Sequence, residues 1–305
     1  MMIRYATALL FLVVFITYSS AQQNNTECTD KKVKIKMIKT RDGNTIFGDY
    51  VSGSDSLITV NSRSMGLLNI PVSQIKSEND VMCSQIKDGE YWYENPSPDF
   101  YLITPSAFTP PKGHLYLRNS ILFLNYLGYS INDHISLSVG TEFLSFFNWI
   151  NNVHGHTKPL LILLPKVSFN LKDNIKLSTS LLYMKGTSTY LGDGEIDEIG
   201  APLLNLSFGS EDKNFGIMGG YNFINIQDQK NPLLLGVNGI YRLTNRIAIE
   251  GEASNFFADY RDLFLSYGIK FIARNMSVDF GFVNNHVISD DLIIGFPFIS
   301  LTLRN

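Results

Sequence analysis

From about residue 101 to the end of the chain, apolar residues recur in segments that are separated by polar breaks. Most segments are about ten to thirteen residues long, and apolar side chains alternate within them with small or polar ones. Period-two alternation is typical of β-strands, and long strands separated by turns are typical of transmembrane barrels. About twelve segments can be placed, beginning with 99–105 and 114–128. The pattern therefore predicts an all-β fold with an antiparallel transmembrane β-barrel of about twelve strands over residues 99–305.

The breaks alternate in length. Short polar breaks at 131–133, 172–174, 211–213, 244–245 and 274–275 alternate with longer ones such as 148–158 and 186–199. In bacterial barrels the turns on the periplasmic side are short and the extracellular loops are longer. Counting back from the C-terminus, the alternation predicts that both ends of the barrel lie in the periplasm.

Residues 33–83 follow a different pattern. Strand-like runs of about five to eight residues are joined by turns rich in Gly, Asp and Ser, such as Arg41-Asp42-Gly43-Asn44. These runs predict a small β module, which we expect in the periplasm as a packing or partner-binding unit. Residues 84–98 are predicted to be a linker, because two prolines near its end interrupt regular structure.

The N-terminal residues have the pattern of an export signal. Arg4 precedes the apolar run ALLFLVVFI, and Ser19-Ser20-Ala21 is a small-residue cleavage site, so residues 1–21 are predicted to be a signal peptide. A membrane anchor is the alternative, but the run is shorter than the roughly 20 residues that a spanning helix needs. Residues 22–32 are polar and aperiodic, which predicts a flexible lead-in.

Composition fits the barrel and excludes one class of partner. Charged residues make up 17% of the chain, against about 25% in ordinary soluble domains. The net charge is −3, and no basic surface interleaved with aromatic residues is evident, so no nucleic-acid partner is expected. A soluble β-sandwich with aromatic residues in its core is the alternative fold, but its strands are usually only about five or six residues long.

The two cysteines, Cys28 and Cys83, lie on either side of the small module. An exported chain permits a disulfide, and this pair would close the module into a loop. We predict the bridge, with two unpaired thiols as the alternative. No metal site and no cofactor are expected.

Alternation also sorts charged residues onto one face of the predicted strands, where they would line the barrel interior. On the lipid face each charge would cost roughly 2–4 kcal/mol at mid-membrane. The sign tends to alternate from strand to strand, so neighbours can pair across the sheet. The predicted lumen charges are Arg118, Glu142, Lys166, Arg242, Glu250, Glu252, Lys270 and Asp279.

Three roles for these charges remain open. They could form a salt-bridged network that fills a narrow lumen, or they could select a small polar solute. Catalytic carboxylates are a third role, which is disfavoured because neighbouring cations keep a carboxylate ionised.

A rim hydrolase is a further alternative, because some barrels of this size are proteases or phospholipases. Histidine and aspartate side chains fall in the predicted outer loops, although they match no catalytic motif. An acidic stretch over 192–198 resembles a calcium loop but lacks the required ligand spacing. The candidate residues of the rim hydrolase are His154, His156, His286, Asp193, Asp197, Asp290 and Asp291.

Residues 101–143 resemble the opening of a family of uncharacterised Bacteroidetes outer-membrane barrels. An Asn95-Pro96 entry precedes Tyr101, the loop PSAF follows, and the stretch ISLSV shows the alternation seen in that family. The small module resembles SH3-like or Sm-like units, through its turns and its alternation. The resemblance implies the outer membrane of a Gram-negative bacterium and assigns no activity.

The expected role is therefore structural or passive small-solute transport by a porin-like barrel that is not an enzyme. Two alternatives stay open, an envelope-anchoring protein whose module binds a periplasmic protein and a hydrolase with a rim site. The expected partners are outer-membrane lipid and lipopolysaccharide.

Overall fold

The computed structural model describes residues 33–62, 64–121, 123–151, 158–188, 194–223, 233–255, 263–285 and 294–305. The chain divides into two compact units, and the boundary falls between Glu94 and Asn95. The predicted signal peptide, the predicted lead-in and Cys28 lie outside the described residues.

The first unit is a five-stranded antiparallel sheet with the strand order β4-β3-β2-β1-β5. Inward-facing apolar residues form two small clusters, one around Ile38 and Val60 and the other around Met37 and Cys83. Short 3-10 turns and a small hairpin, β6 with β7, complete the unit. The strands are β1 Lys34–Thr40, β2 Thr45–Gly53, β3 Leu57–Ser62, β4 Gly66–Pro71, β5 Ile75–Met82, β6 Ile86–Lys87 and β7 Glu90–Tyr91.

The edge strand β5 was not predicted, because its middle is polar and only Val81 on it is fully buried. It is attached to β1 by backbone pairing and by charge. Lys36 Nζ lies 2.7 Å from Glu78 and 3.0 Å from Asp80. Hydrogen bonds to these two carboxylates raise the pKa of Lys36 above its usual value.

The second unit is a closed barrel of twelve strands, β8 to β19, so the predicted all-β fold and strand number are confirmed. Each strand pairs with its neighbours in the chain, and β19 pairs with β8 to close the ring. Closure excludes the β-sandwich alternative. The barrel strands are β8 Leu115–Ser120, β9 Leu124–Ser130, β10 Ile135–Glu142, β11 Leu161–Lys172, β12 Ile175–Ser188, β13 Gly194–Gly209, β14 Lys213–Tyr221, β15 Leu233–Arg242, β16 Ile247–Ser254, β17 Phe264–Ile272, β18 Met276–Asn284 and β19 Phe296–Arg304.

The two faces of each strand differ as the alternation predicts. On β10, Ile135, Leu137 and Val139 are exposed on the outside, whereas Ser136 and Ser138 are buried inside. A helix, α1 Phe143–Ile150, follows β10 directly. Among the described residues, no helix has both the length and the apolar content to cross a membrane.

Two strand predictions at the start of the barrel are wrong, and their errors cancel in the strand number. Residues 99–105 do not form a barrel strand, because prolines border and end this stretch. Residues 114–128 form parts of two strands, β8 and β9, which are separated by a tight turn. Ile121 adopts a positive φ of 55° in this turn. A β-branched residue rarely adopts this conformation, so the sequence did not indicate the turn.

The short connections predicted around 131–133, 172–174, 211–213, 244–245 and 274–275 all join consecutive strands. Because consecutive strands are antiparallel, these five connections lie at one end of the barrel. The start of β8 and the end of β19 lie at the same end, which we call the terminal end.

Close approach of an aromatic ring explains why Gly128 is required on β9. Tyr116 lies directly opposite Gly128, and a Cβ atom built on Gly128 would lie 2.0 Å from the Tyr116 ring. We expect Gly128→Ala to cost about 1–3 kcal/mol, because the ring must leave its place in a packed interior. The measurement is urea unfolding, followed by the heat-modifiable band of the folded barrel.

Gly219→Ala on β14 is the matched control, because a Cβ built on Gly219 has nothing within 4 Å. Equal stability of the two variants would contradict the prediction.

Candidate functional site

The interior of the barrel is occupied by residues 95–110, which we call the inner segment. Every residue of the inner segment except Ile103 is buried. Four prolines interrupt it, so it forms a compact loop instead of a strand. The loop is closed by hydrogen bonds from Tyr101 N to Thr104 O, 3.0 Å, and from Ser106 N to Asp99 O, 2.8 Å.

Glu252, on the inner face of β16, binds the tip of this loop. Its carboxylate accepts hydrogen bonds from Ile103 N at 2.6 Å and Thr104 N at 2.9 Å. It also accepts one from the Thr104 hydroxyl, which in turn accepts from Asn238 Nδ2 at 3.1 Å. The carboxylate thus satisfies two backbone amides that have no partner in a sheet.

Two cations bind the backbone carbonyl groups of the inner segment. Arg118 Nη2 on β8 donates to Tyr101 O and Leu102 O, each at 2.9 Å. Lys166 Nζ on β11 donates to Phe108 O at 2.6 Å and lies 3.4 Å from Ser106 O. Buried backbone groups are costly when they lack partners, so these charged side chains are what permits a buried loop.

A connected cluster of four charges spans neighbouring strands on one side of the interior. Arg118 lies 3.4 Å from Asp279, and Lys270 lies 3.6 Å from the same carboxylate. Lys270 also lies 3.2 Å from Glu250. All four side chains are essentially inaccessible to solvent, and two positive charges offset two negative ones within the cluster.

All eight predicted lumen charges are buried, but the structure brings only four of them together as described above. Glu252 and Lys166 bind the inner segment and not a neighbouring charge. Arg242 lies 2.7 Å from Asp212, an acidic residue in the adjoining turn that was not predicted. Glu142 is fully buried where β10 ends and α1 begins.

The interior is apolar between the ends of β11–β15 that lie opposite the terminal end, which the sequence did not predict. Phe100 of the inner segment packs against side chains from these strands, and its ring lies 6.0 Å from that of Tyr126. The stretch LILLPK is apolar on both faces, so alternation alone cannot tell inside from outside there. The apolar interior consists of Phe100, Leu160, Ile162, Leu164, Leu182, Met184, Ala201, Leu203 and Leu234.

The predicted rim chemistry falls largely outside the described residues. His154, His156, His286, Asp193, Asp290 and Asp291 are not described, nor is the side chain of Asp197. From the acidic stretch 192–198 the described side chain is Glu198, which pairs with Lys185 at 2.9 Å. Within the described ranges, no group of three or more His, Cys, Asp or Glu side chains could hold a metal ion.

Cys83 is buried in the small module, and none of the described cysteines is free. Its expected partner, Cys28, is not described, so the Cys28–Cys83 pairing stays a prediction.

No protein-family model matches the chain, and no curated protein matches it. Among solved structures, the KdgM porin is 10% identical with a TM-score of 0.42, over 63% of this chain and 97% of that one. The NanC porin is 11% identical with a TM-score of 0.37, over 63% and 97%. A loop L8 deletion mutant of OmpT, an outer membrane protein of Vibrio cholerae, is 12% identical with a TM-score of 0.31, over 90% and 97%. Likeness at this level carries no argument about activity, so the description of the barrel rests on its own strand pairing.

The position of the inner segment can be tested by cross-linking. The hydroxyl oxygens of Ser97 and Ser277 lie 3.1 Å apart, so sulfur atoms in their place can close to the bonding distance of about 2.05 Å. We expect Ser97→Cys with Ser277→Cys to form a disulfide on oxidation, detected as a linked peptide by mass spectrometry.

The matched control is Ser97→Cys with Val278→Cys, because the side chain of Val278 points to the opposite face of the same strand. Equal cross-linking of both pairs, or of neither, would contradict an inner segment held against β18.

Proposed function

We propose that this chain is an outer-membrane β-barrel protein with a structural or passive small-solute transport role and a narrow, salt-bridged lumen. The observation that carries the proposal is the closed antiparallel barrel with an apolar outer face and a charged inner face. In lipid, closure satisfies every strand-edge hydrogen bond. The two faces then match lipid outside and a polar lumen inside.

The outer face supports a membrane location by its extent. Exposed large apolar side chains occur on successive strands around the ring, whereas a soluble monomer rarely exposes an apolar patch above a few hundred Å². Examples from nine of the strands are Leu117, Leu127, Leu137, Leu181, Leu204, Ile217, Leu235, Ile269 and Phe280. Except for the tight β8–β9 turn, the connections at the other end are longer than the five at the terminal end. This difference supports the orientation, with the terminal end and the small module in the periplasm.

The contacts of the inner segment support a lumen that is closed at rest. A solute can pass only if residues 95–110 move aside, which breaks their bonds to Glu252, Arg118 and Lys166. The interior carboxylates of Glu250, Glu252 and Asp279 lie next to cations or accept hydrogen bonds from the inner segment. These surroundings favour a role that is not enzymatic.

An envelope-anchoring role is the second candidate, and the surface of the small module favours it. Met65 in the turn before β4 and Leu67 on β4 expose large apolar side chains. A periplasmic protein could bind this surface while the barrel holds the module at the membrane. A photo-crosslinking side chain at Leu67 is then expected to give an adduct of discrete mass, whereas the same group at Asp55 gives none.

Conductance in planar bilayers tests the closed lumen. We expect the wild-type barrel to show no steady conductance. Thr104→Val with Glu252→Gln weakens or removes four hydrogen bonds to the inner segment, so openings are expected to become more frequent in this variant.

Ser254→Ala, on the same strand and face as Glu252, is the control and is expected to behave as wild type. Migration of the unheated and heated protein on a gel checks that each variant folds. A large steady wild-type conductance, unchanged in the double variant, would contradict a lumen closed by the inner segment.

A further inference from the structure

The helix α1 exposes an unusual number of large apolar side chains. Its eight residues, FLSFFNWI, contain no charge. Side chains on it are exposed to 53% at Phe147, 52% at Trp149 and 59% at Ile150, and Phe143 and Phe146 are exposed as well. By contrast, Ser145 is fully buried.

The amphipathic pattern of α1 is inverted relative to a helix on a soluble protein. Phe143, Phe146, Phe147 and Ile150 have the spacing i, i+3, i+4, i+7 and therefore share one face. That face points away from the barrel, whereas the small polar Ser145 points toward it. The Ser145 hydroxyl donates to Glu142 O at 3.0 Å and accepts from Leu160 N at 3.1 Å, so the buried side of the helix is attached by polar contacts. A helix of this kind is stable in its place only if the medium outside is apolar.

The apolar face of α1 continues the outer face of the barrel. Outward-facing residues of β10 end at Val139 and Thr141, and the next residue in the alternation is Phe143. Phe143 N donates to Phe123 O in the β8–β9 turn at 2.8 Å, which fixes the start of α1 at the end of the barrel opposite the terminal end. The rings of Phe146 and Trp149 pack together at 5.9 Å, and aromatic residues of this kind concentrate at membrane interfaces.

We propose that α1 is an interfacial helix that inserts its aromatic face into the outer leaflet of the membrane, so that its partner is lipid. The proposal rests on the membrane location given above as the proposed function. Interfacial helices of this type bury their apolar face about 5–10 Å into the boundary between headgroups and acyl chains. The helix widens the contact of the barrel with lipid beside β10 and sets the depth of this side of the wall.

Tryptophan fluorescence can test the proposal, because the chain contains only two tryptophans, Trp92 and Trp149. In Trp92→Phe, Trp149 of α1 is the sole reporter. The variant is reconstituted into liposomes with and without brominated acyl chains, with bromine near the headgroup or near the bilayer centre. We expect blue-shifted emission from Trp149 and a loss of intensity that is largest for bromine near the headgroup.

A second reporter separates this proposal from the membrane location itself. Leu127→Trp, in a chain with Trp92→Phe and Trp149→Phe, places a tryptophan on the outer face of β9 opposite Val139. Quenching of both reporters supports the proposal. Quenching at position 127 without quenching of Trp149 overturns the interfacial helix but leaves the barrel in the membrane. This holds even if the emission of Trp149 is blue-shifted, because burial in protein would produce the same shift without contact to lipid. Absence of quenching at both positions overturns the membrane location.

Discussion

The interior depends on hydrogen bonds between charged side chains of the barrel wall and the backbone of the inner segment. A proline-interrupted loop cannot pair with a sheet, so its amides and carbonyls need other partners when it is buried. Glu252 accepts from the amides, and Arg118 and Lys166 donate to the carbonyls. Each charge is in turn stabilised by the backbone dipoles, by an opposite charge or by both. Removal of one partner would leave the other buried and unsatisfied, which is the costly case.

The buried charges therefore have two roles: some form ion pairs between strands of the wall, and others bind the backbone of the inner segment. The period-two pattern cannot separate these roles. Arg118 belongs to both, because it contacts Asp279 on the wall and carbonyls of the inner segment. Lys270 on β17 lies between two carboxylates on the strands that flank it, Glu250 on β16 and Asp279 on β18. The ends of β11–β15 that lie opposite the terminal end contribute no charges to the interior, because Phe100 packs there against aliphatic side chains. Polar contacts position the loop, and apolar contacts fill the space around it.

The sequence was sufficient for the barrel and most of its connections, and the eight charged residues that alternation placed on the inner face are buried. These features follow from alternation and from the high cost of a charge in lipid, and both can be seen along a single strand. The strand number agrees because two errors at the start of the barrel cancel. The inner segment could not be predicted in this way, because ITPSAF has the composition of a strand end and a loop. The β8–β9 turn lacks the glycine or proline that usually indicates a turn, and Ile121 adopts the positive φ there instead of a glycine. The partners of Glu252 and Lys166 are distant in sequence, so no local pattern could indicate them. The proline spacing in 95–110 was the one available signal that this stretch is not a barrel strand.

Backbone hydrogen exchange of the inner segment is the most direct test of the central claim. The folded protein in lipid is exposed to deuterated water, and the uptake is measured for a peptide covering residues 99–108. If the loop is held inside the barrel, the amides of Ile103, Thr104 and Ser106 exchange as slowly as those of the paired strands β16 and β18. Exchange as fast as that of an exposed loop would contradict an interior built around the inner segment.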